Sequence, residues 1–482
     1  MTDHRLLIDG ELVAASDGGT FENVNPATEE VLGVAPDGTA ADATRAVAAA
    51  RRAFDTTGWS TDAAFRRRCL VQLQEALRKE ADTLRELVVA ESGTPVFTTR
   101  ITQLDGPIDY LSHYIDLLES YPFERELPVK DIFGSPTRRT VRREAAGVVS
   151  AITPWNYPVY LNLAKASAAL AAGCTVVLKP APETPWSATE LGRLVAEQTD
   201  IPPGVFNVLT TSSVEVAGLL TSHPSVDHVT FTGSTETGRR VMANAAPTIK
   251  RVTLELGGKS AAIVLDDADL AAAVGSVVFS VCMHAGQGCV LLTRLLVPRS
   301  RLAEAEEIAV ATLAGIPWGD PRDPGNIMGP LISARQRDRV LSYYDLGRAE
   351  SRLLAGGGRG SRFDRGYFVE PTIFSDVDPA SRLAQEEIFG PVLAIIPYAD
   401  EEEAVRIADG TPYGLSAGVF SADEERAMRV ARRLRTGTVG VNGAQWFDPE
   451  SPFGGYKQSG VGREWGTEGL EDFLEVKTIA RP

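Results

Sequence analysis

The most constraining feature of this chain is a rhythm that sets in at Gly147. From there, short apolar runs alternate with longer helical stretches. "GVVSAI", "CTVVLKP", "GVFNVL", "HVTFTG" and "KRVTLEL" read as strands, and an Ala-rich stretch from Val159 to Gly173 reads as the first helix between them. Strands that are apolar throughout need cover on both faces, and intervening helices supply it, so the pairing is parallel. A second set follows Leu256, with "AAIVL", "RLLVP", "GPVLAIIPY", "GLSAGVF" and "TGTVGVN" as strands and helices at Glu401 to Asp409 and Ala422 to Leu434. The expected fold class is α/β, with two doubly wound α/β domains whose ligands gather at the carboxyl ends of the strands. A length of 482 residues suits two or three domains.

Two stretches fit neither set. "FERELPVKDIFGSPTRRTVRREAAG" reads as a pair of polar strands around a Gly-Ser-Pro turn, and "DFLEVKTIARP" as one exposed strand. Polar strands outside either core suggest a small β arm for oligomerisation, so a homo-oligomer, tetramer or dimer, is expected.

A formal net charge of -16 disfavours nucleic acid and anionic membrane as partners, because both repel such a surface. The cysteines, Cys69, Cys174, Cys282 and Cys289, form no C-x-x-C pair, and the five histidines make no zinc spacing, so no metal is expected. "MTDHRLLIDG" lacks a basic region followed by an apolar core, and no apolar run approaches the roughly 18 residues of a membrane span. A reducing, cytoplasmic location fits these features.

Several motifs admit both a chemical and a plain reading. In "VTFTGSTETG", Gly233 and Ser234 mark a strand-to-helix junction, which is either a phosphate site or a capped turn. "LELGGKS" imitates the end of a P-loop, but position 253 holds Thr253 where a glycine is needed, so that reading fails. Glu255, between two leucines, is either an edge glutamate in water or a desolvated carboxylate able to act as a general base. Asn156 in "PWNYP" either caps a turn or donates its amide to a developing oxyanion. Lys179 in "LKPAPETP" is a solvated loop charge or a cofactor contact. His284 precedes Cys289 by five residues, and Gly286 and Gly288 turn the thiol away from it, so it reads as a core or helix-end histidine.

The order "PWNYP", "KPAPETP", "FTGSTETG", "LELGGKS", "GQGCV", "EEIFGPV" and "SPFGGYKQSG" resembles the aldehyde dehydrogenase superfamily over nearly the whole chain. That resemblance implies a nucleotide-binding domain from residues 1–123 and 145–255, a catalytic domain from 256–445, and an oligomerisation arm with a C-terminal strand from 124–144 and 446–482. It places Cys289 at the family's nucleophile, Glu255 at its general base and Asn156 at its oxyanion-hole amide. Thr153, Pro154, Trp155, Lys179, Gly233, Ser234, Leu256, Glu387 and Phe389 fall where the family contacts its dinucleotide. Lys165 and Glu464 match a pair behind the base, a proton path. Tyr157, Tyr160, Trp446, Phe447 and Phe453 fall in the substrate pocket, where an aromatic lining favours apolar or aromatic aldehydes.

The implied reaction oxidises a small-molecule aldehyde to a carboxylic acid with NAD(P)+, through a cysteine thiohemiacetal and then a thioester. Pro182 stands where many NAD-preferring members carry a ribose-binding glutamate, and Glu183 comes one residue later. The implied cofactor is therefore NAD, with NADP possible. The alternatives are a CoA-acylating dehydrogenase, whose members generally lack the Glu255 carboxylate, and a thiol esterase that needs no redox cofactor.

Overall fold

The structure, a computed structural model, describes residues 4–360 and 362–482. Its first sheet has eight strands in the order Gly460–Val461, Arg251–Glu255, His228–Thr232, Val148–Ile152, Thr175–Lys179, Phe206–Val208, Leu6–Ile8 and Glu11–Val13. The central pairs are parallel, with Val149 beside Val176 and Thr232 beside Glu255. Antiparallel strands close both edges. From Val148–Ile152 the chain winds outward to Phe206–Val208, then returns to the other side of its starting strand at His228–Thr232. That reversal opens a crevice at the carboxyl ends of Val148–Ile152 and His228–Thr232, the position where doubly wound sheets bind ligands.

The second sheet has seven strands, in the order Arg352–Ala355, Thr372–Ser375, Val392–Tyr398, Leu292–Pro298, Ser260–Val264, Ser416–Phe420 and Thr438–Val441. Its interior strands are buried throughout apart from Leu292 and Thr293, as in Ser260–Val264 and Val392–Tyr398. Continuous apolar sequence is what such two-faced burial demands.

The helix Pro158–Ala172 is buried along all 15 residues. Its alanines let neighbouring elements approach from every side, Pro158 starts it, and Gly173 ends it in the left-handed region at φ 93. This helix later carries Lys165 into the site.

The polar hairpin forms, with strands Glu124–Ile132 and Ser135–Ala145, and Leu474–Arg481 pairs with the second of them. Its turn differs from the one expected. Phe133 and Gly134, at φ 53 and φ 86, make the corner, while Ser135 and Pro136 already lie in the strand. The expected arm boundary at 446–482 also differs from the structure. Phe453, Trp465, Leu470 and Phe473 are buried in the core of the first sheet, and Gly460–Val461 extends that sheet. Only Leu474–Arg481 joins the arm, because the aromatic side chains before it have a core to enter.

Leu6–Ile8 and Glu11–Val13, a hairpin turning on Asp9 and Gly10, were not anticipated although Asp-Gly between apolar runs is a hairpin signal. Among the described residues no helix is long and apolar enough to cross a membrane.

Arg294 ties the second sheet to its surroundings. Its buried guanidinium donates to the carbonyls of Lys259 (2.7 Å), Ile407 (2.8 Å) and Ala408 (2.7 Å). Replacing it leaves the Lys259 and Ala408 carbonyls unpaired, each at about 1–3 kcal/mol, while the Ile407 carbonyl keeps the Gly410 N–H (3.2 Å). R294A is expected to lower the unfolding free energy by at least about 2 kcal/mol, read from the midpoint of a denaturant titration. A midpoint unchanged from the parent protein contradicts this anchoring role.

Candidate active site

Cys289 follows the helix Leu270–Cys282 and precedes the strand Leu292–Pro298. Three successive residues between them, His284, Ala285 and Gly286, adopt left-handed backbone at φ 47, 53 and 73. Such conformations cost about 1–2 kcal/mol at a residue with a side chain, so tertiary packing must hold them. Gly286 lies so close to the Gly390 carbonyl that a Cβ would stand 2.1 Å from it. This corner aims Cys289 into a cleft of about 820 Å³ between the two sheets. His284 is buried beside the Tyr157 ring (5.5 Å), and burial lowers its imidazole to about 4, so it is neutral and lacks a bond to the thiol.

Cys289 is partly exposed, whereas Cys69, Cys174 and Cys282 are buried. Desolvation raises the Cys289 thiol well above the ordinary range, and the nearby charges of Glu255 and Glu387 raise it further. At neutral pH the group is therefore a thiol, and its proton must leave as sulfur attacks.

Glu255 ends the strand Arg251–Glu255 and is almost fully buried, with neither carboxylate oxygen hydrogen-bonded. Burial raises its carboxyl well above the usual range and the charge of Glu464 adds to this, while Lys165 opposes it. Lys165 Nζ donates to Glu464 Oε1 (2.5 Å) and Thr230 Oγ1 (3.1 Å), and Glu464 Oε2 has no partner. A buried carboxylate without partners requires an explanation, and a water or a passing proton supplies one.

Asn156 lies in the crevice after Val148–Ile152. Its Nδ2 donates to the Gln287 carbonyl (2.9 Å), and its own carbonyl accepts from Gln103 Nε2 (3.0 Å). Gln287 is in turn fixed by donating to His284 and Pro330 and by accepting from the Ile332 N–H. One amide hydrogen of Asn156 thus positions the group and the other remains for a ligand.

Of the residues expected at the dinucleotide, Pro154, Trp155, Gly233, Ser234, Leu256, Glu387 and Phe389 line the cleft. Ser234 caps the helix Thr235–Ala245 by accepting from the Thr237 N–H (3.2 Å), so this helix presents its amino end to the cleft. Glu387 Oε1 accepts from the Gly258 N–H (2.8 Å), and burial raises that carboxyl to about 7. A Cβ on Gly257 would stand 2.4 Å from Glu387 Oε2, so a side chain there would displace that carboxylate. Phe389, at φ 61, meets Trp155 edge-on at 5.4 Å.

Thr153 and Lys179 stand outside the cleft lining. Thr153 Oγ1 donates to Asn162 Oδ1 (2.7 Å). Lys179 is buried, and burial lowers its ammonium to about 8 against the opposing charge of Glu183.

The five aromatic residues expected at a substrate pocket cluster together, apart from the cleft lining. Trp446 stacks on Phe453 (5.5 Å), Tyr160 on Phe447 (5.2 Å), and Tyr157 meets Tyr160 edge-on (6.5 Å). Sequence reasoning missed two further members. Tyr110 donates to the Phe447 carbonyl (3.2 Å), and Trp465 Nε1 donates to the Tyr160 hydroxyl (2.6 Å). Cys289 packs on the same core as Tyr157, Trp446 and Phe447, so it belongs to both the cleft and the aromatic cluster. Arg239, Arg335, Gln336 and Arg339 of the cleft were also missed. Among the described residues no cluster of metal-ligating side chains occurs.

A thiol at the junction of a dinucleotide-type crevice and an aromatic cluster, with a buried carboxylate behind it, defines a thiol-dependent oxidoreductase. The aldehyde dehydrogenase family model matches residues 13–479. A 3-succinoylsemialdehyde-pyridine dehydrogenase of a Pseudomonas species is 45% identical, covering 99% of each chain. A geranial dehydrogenase of Castellaniella defragrans is 42% identical over 99% of this chain and 98% of its own. Among solved structures, an aldehyde dehydrogenase C of Pseudomonas syringae, a cysteine-to-alanine mutant with NAD+ and octanal, superposes with a TM-score of 0.94 at 42% identity, covering 99% of this chain and 96% of that one. A Mycobacterium tuberculosis aldehyde dehydrogenase with NAD+ gives 0.95 at 43% identity, covering 99% and 98%. The chain belongs to the aldehyde dehydrogenase family. It is an NAD(P)-dependent oxidoreductase that converts an aldehyde to the carboxylic acid.

The raised thiol has a measurable consequence. In coenzyme-free enzyme, alkylation of Cys289 by iodoacetamide, followed by peptide mapping, is expected to rise about tenfold per pH unit through pH 8.5, the ordinary thiol value. A plateau at or below pH 8 contradicts a neutral resting thiol.

Proposed function

We propose that Cys289 is the nucleophile, Glu255 the general base and Asn156 an oxyanion donor in this oxidation. The observation that carries the reading is the pair of unpartnered Glu255 oxygens buried close enough to Cys289 for their charge to raise the thiol. Sulfur attacks the aldehyde carbon while its proton passes to the Glu255 carboxylate, directly or through water. The free Asn156 amide hydrogen and the Cys289 N–H hold the resulting thiohemiacetal oxyanion, each donor worth about 3 kcal/mol of barrier. Bound NAD(P)+ supplies the hydride acceptor. Loss of hydride from carbon leaves a thioester on Cys289.

The Glu255 proton then moves out toward Glu464 and Lys165, and the restored carboxylate takes a proton from water. The hydroxyl adds to the thioester carbon, the C–S bond breaks, and the acid departs. Glu255 suits this second task better than CoA transfer, which needs no water activation.

The cleft residues fit a dinucleotide. The Ser234-capped helix end suits a diphosphate, the absent Cβ at Gly257 keeps the Glu387 carboxylate at the wall, and Trp155, Leu256 and Phe389 provide apolar contact. Pro154 and Gly233 complete that wall, with Thr153 and Lys179 behind it. Tyr157, Tyr160, Trp446, Phe447 and Phe453 favour apolar or aromatic aldehydes, a preference in keeping with the geranial-oxidising relative and the octanal-bound structure.

The arm supports a homo-oligomer, because both outer strands of its three-stranded sheet have open edges and Val129, Val476 and Ile479 are exposed. Four free cysteines suit a reducing cytoplasm.

C289A is expected to abolish aldehyde oxidation, and N156A to lower kcat/KM about 10²-fold. E255Q is expected to give one rapid burst of reduced coenzyme followed by little turnover, since hydrolysis fails after hydride transfer. Steady turnover without a burst in E255Q removes Glu255 from hydrolysis. A panel of aromatic, long-chain and carboxylated aldehydes tests the pocket, and preference for a carboxylated semialdehyde overturns it.

A further inference from the structure

We infer that Arg335 and Glu183 form a bridge across the coenzyme cleft that sets the choice between NAD+ and NADP+, with the Arg335 guanidinium receiving the 2′-phosphate. This rests on the coenzyme site proposed above and adds Arg335, which the sequence did not point to. Arg335 is the second residue of the helix Ala334–Glu350, on the second-sheet side, and lines the cleft. Glu183 lies in the turn between the strand Thr175–Lys179 and the helix Pro185–Gln198, on the first-sheet side. Arg335 Nη2 stands 3.7 Å from Glu183 Oε1, so the two halves of the molecule meet there.

In doubly wound sheets a carboxylate beyond the second strand of the nucleotide-binding unit reads the ribose hydroxyls, and it repels a 2′-phosphate. Thr175–Lys179 is that strand here, since it neighbours Val148–Ile152. The carboxylate that follows this strand is Glu183, in the turn after Lys179 and facing Arg335, and its charge also acts on Lys179. Pro182 contributes none. Arg335 offsets the repulsion that Glu183 alone would produce.

Arg335 is also the cleft arginine with donors to spare. Arg239 is held by Gln458 Oε1 (2.6 Å), Arg339 by the Glu387 carbonyl (2.6 Å), and Arg382 by both oxygens of Glu386. Among the described residues Arg335 has only the long pair with Glu183, and its side chain is 88% exposed. An exposed pair contributes little to stability, so exchanging it for a phosphate costs little. A guanidinium binds phosphate through two parallel charge-assisted hydrogen bonds, a stronger contact than the one given up.

Calorimetric titration of the full chain with NAD+ and NADP+, and with AMP and adenosine 2′,5′-bisphosphate, tests this without reference to turnover. In the parent enzyme, NADP+ and the bisphosphate are expected to bind at least as tightly as their partners lacking the 2′-phosphate. R335A is expected to weaken NADP+ and the bisphosphate about tenfold or more while moving NAD+ and AMP less than about threefold, the loss of one charge-assisted pair. E183Q is expected to tighten NADP+ several-fold. Equal weakening of all four ligands by R335A, or no change, overturns the inference and leaves the coenzyme site standing. Failure of the parent enzyme to bind either dinucleotide overturns both.

Discussion

The two sheets of this enzyme meet at a contact with no room for a side chain. Gly257 and Gly258 carry the chain from the end of Arg251–Glu255 to the start of Ser260–Val264. A Cβ on Gly258 would lie 2.4 Å from the Cys289 carbonyl, and one on Gly257 would lie 2.4 Å from the Glu387 carboxylate. Two glycines thus let Glu255 from one sheet, Cys289 from a loop of the other, and the Glu387 carboxylate of the cleft wall converge. Had position 258 carried a side chain, Glu255 and the Cys289 sulfur would sit on surfaces forced apart by about the width of a methyl group. Reactions that need atoms aligned to within about 0.5 Å do not survive that.

Convergence has an electrostatic cost. Glu255, Glu387 and Glu464 all act on the Cys289 thiol as negative neighbours. Such a site suppresses the thiolate until something positive or proton-accepting arrives. A resting thiol is also protected from oxidation, because the thiolate is the species that oxidants attack. Reactivity is therefore conditional on the groups that enter the cleft, and the Lys165 ammonium offsets the carboxylates only from behind Glu255.

Much of this was legible in the sequence because the interior strands are buried on both faces and are mostly apolar. Glu255 and Asn156 were ambiguous on local grounds alone, and only the order of motifs around them chose between a chemical and a plain reading. The hairpin corner was misplaced because Phe133 occupies a left-handed conformation that bulky residues rarely adopt, while Gly-Ser-Pro next to it looks like a turn. The resemblance groups residues 446–473 with the arm and the C-terminal strand, but their core contacts are made with segments hundreds of positions earlier, as in Trp465 with Tyr160. Gln103 and the cleft arginines were missed for a similar reason. "SARQRDRV" has the composition of a solvated helix face, and nothing local marks that face as the wall of a cleft.

The burial that raises the Glu255 carboxyl works against the fold. Its folded-state pKa lies above that of an unfolded glutamate, so between those two values the native state binds the extra proton. Stability contributed by the protonated form is complete below the unfolded value and falls as pH rises through the folded one. In the proposed mechanism, hydrolysis of the thioester needs the opposite form, the carboxylate. The loss of stability begins above the unfolded value and is complete once Glu255 ionises, so the pH at which it would act as a base is the pH at which its cost to the fold is greatest. The Lys165–Glu464 pair limits that conflict. Lys165 favours the charged form of Glu255, and it is itself held by two hydrogen bonds on a helix buried along its whole length. A rigid cation at that depth lets the base ionise without admitting bulk water to the core.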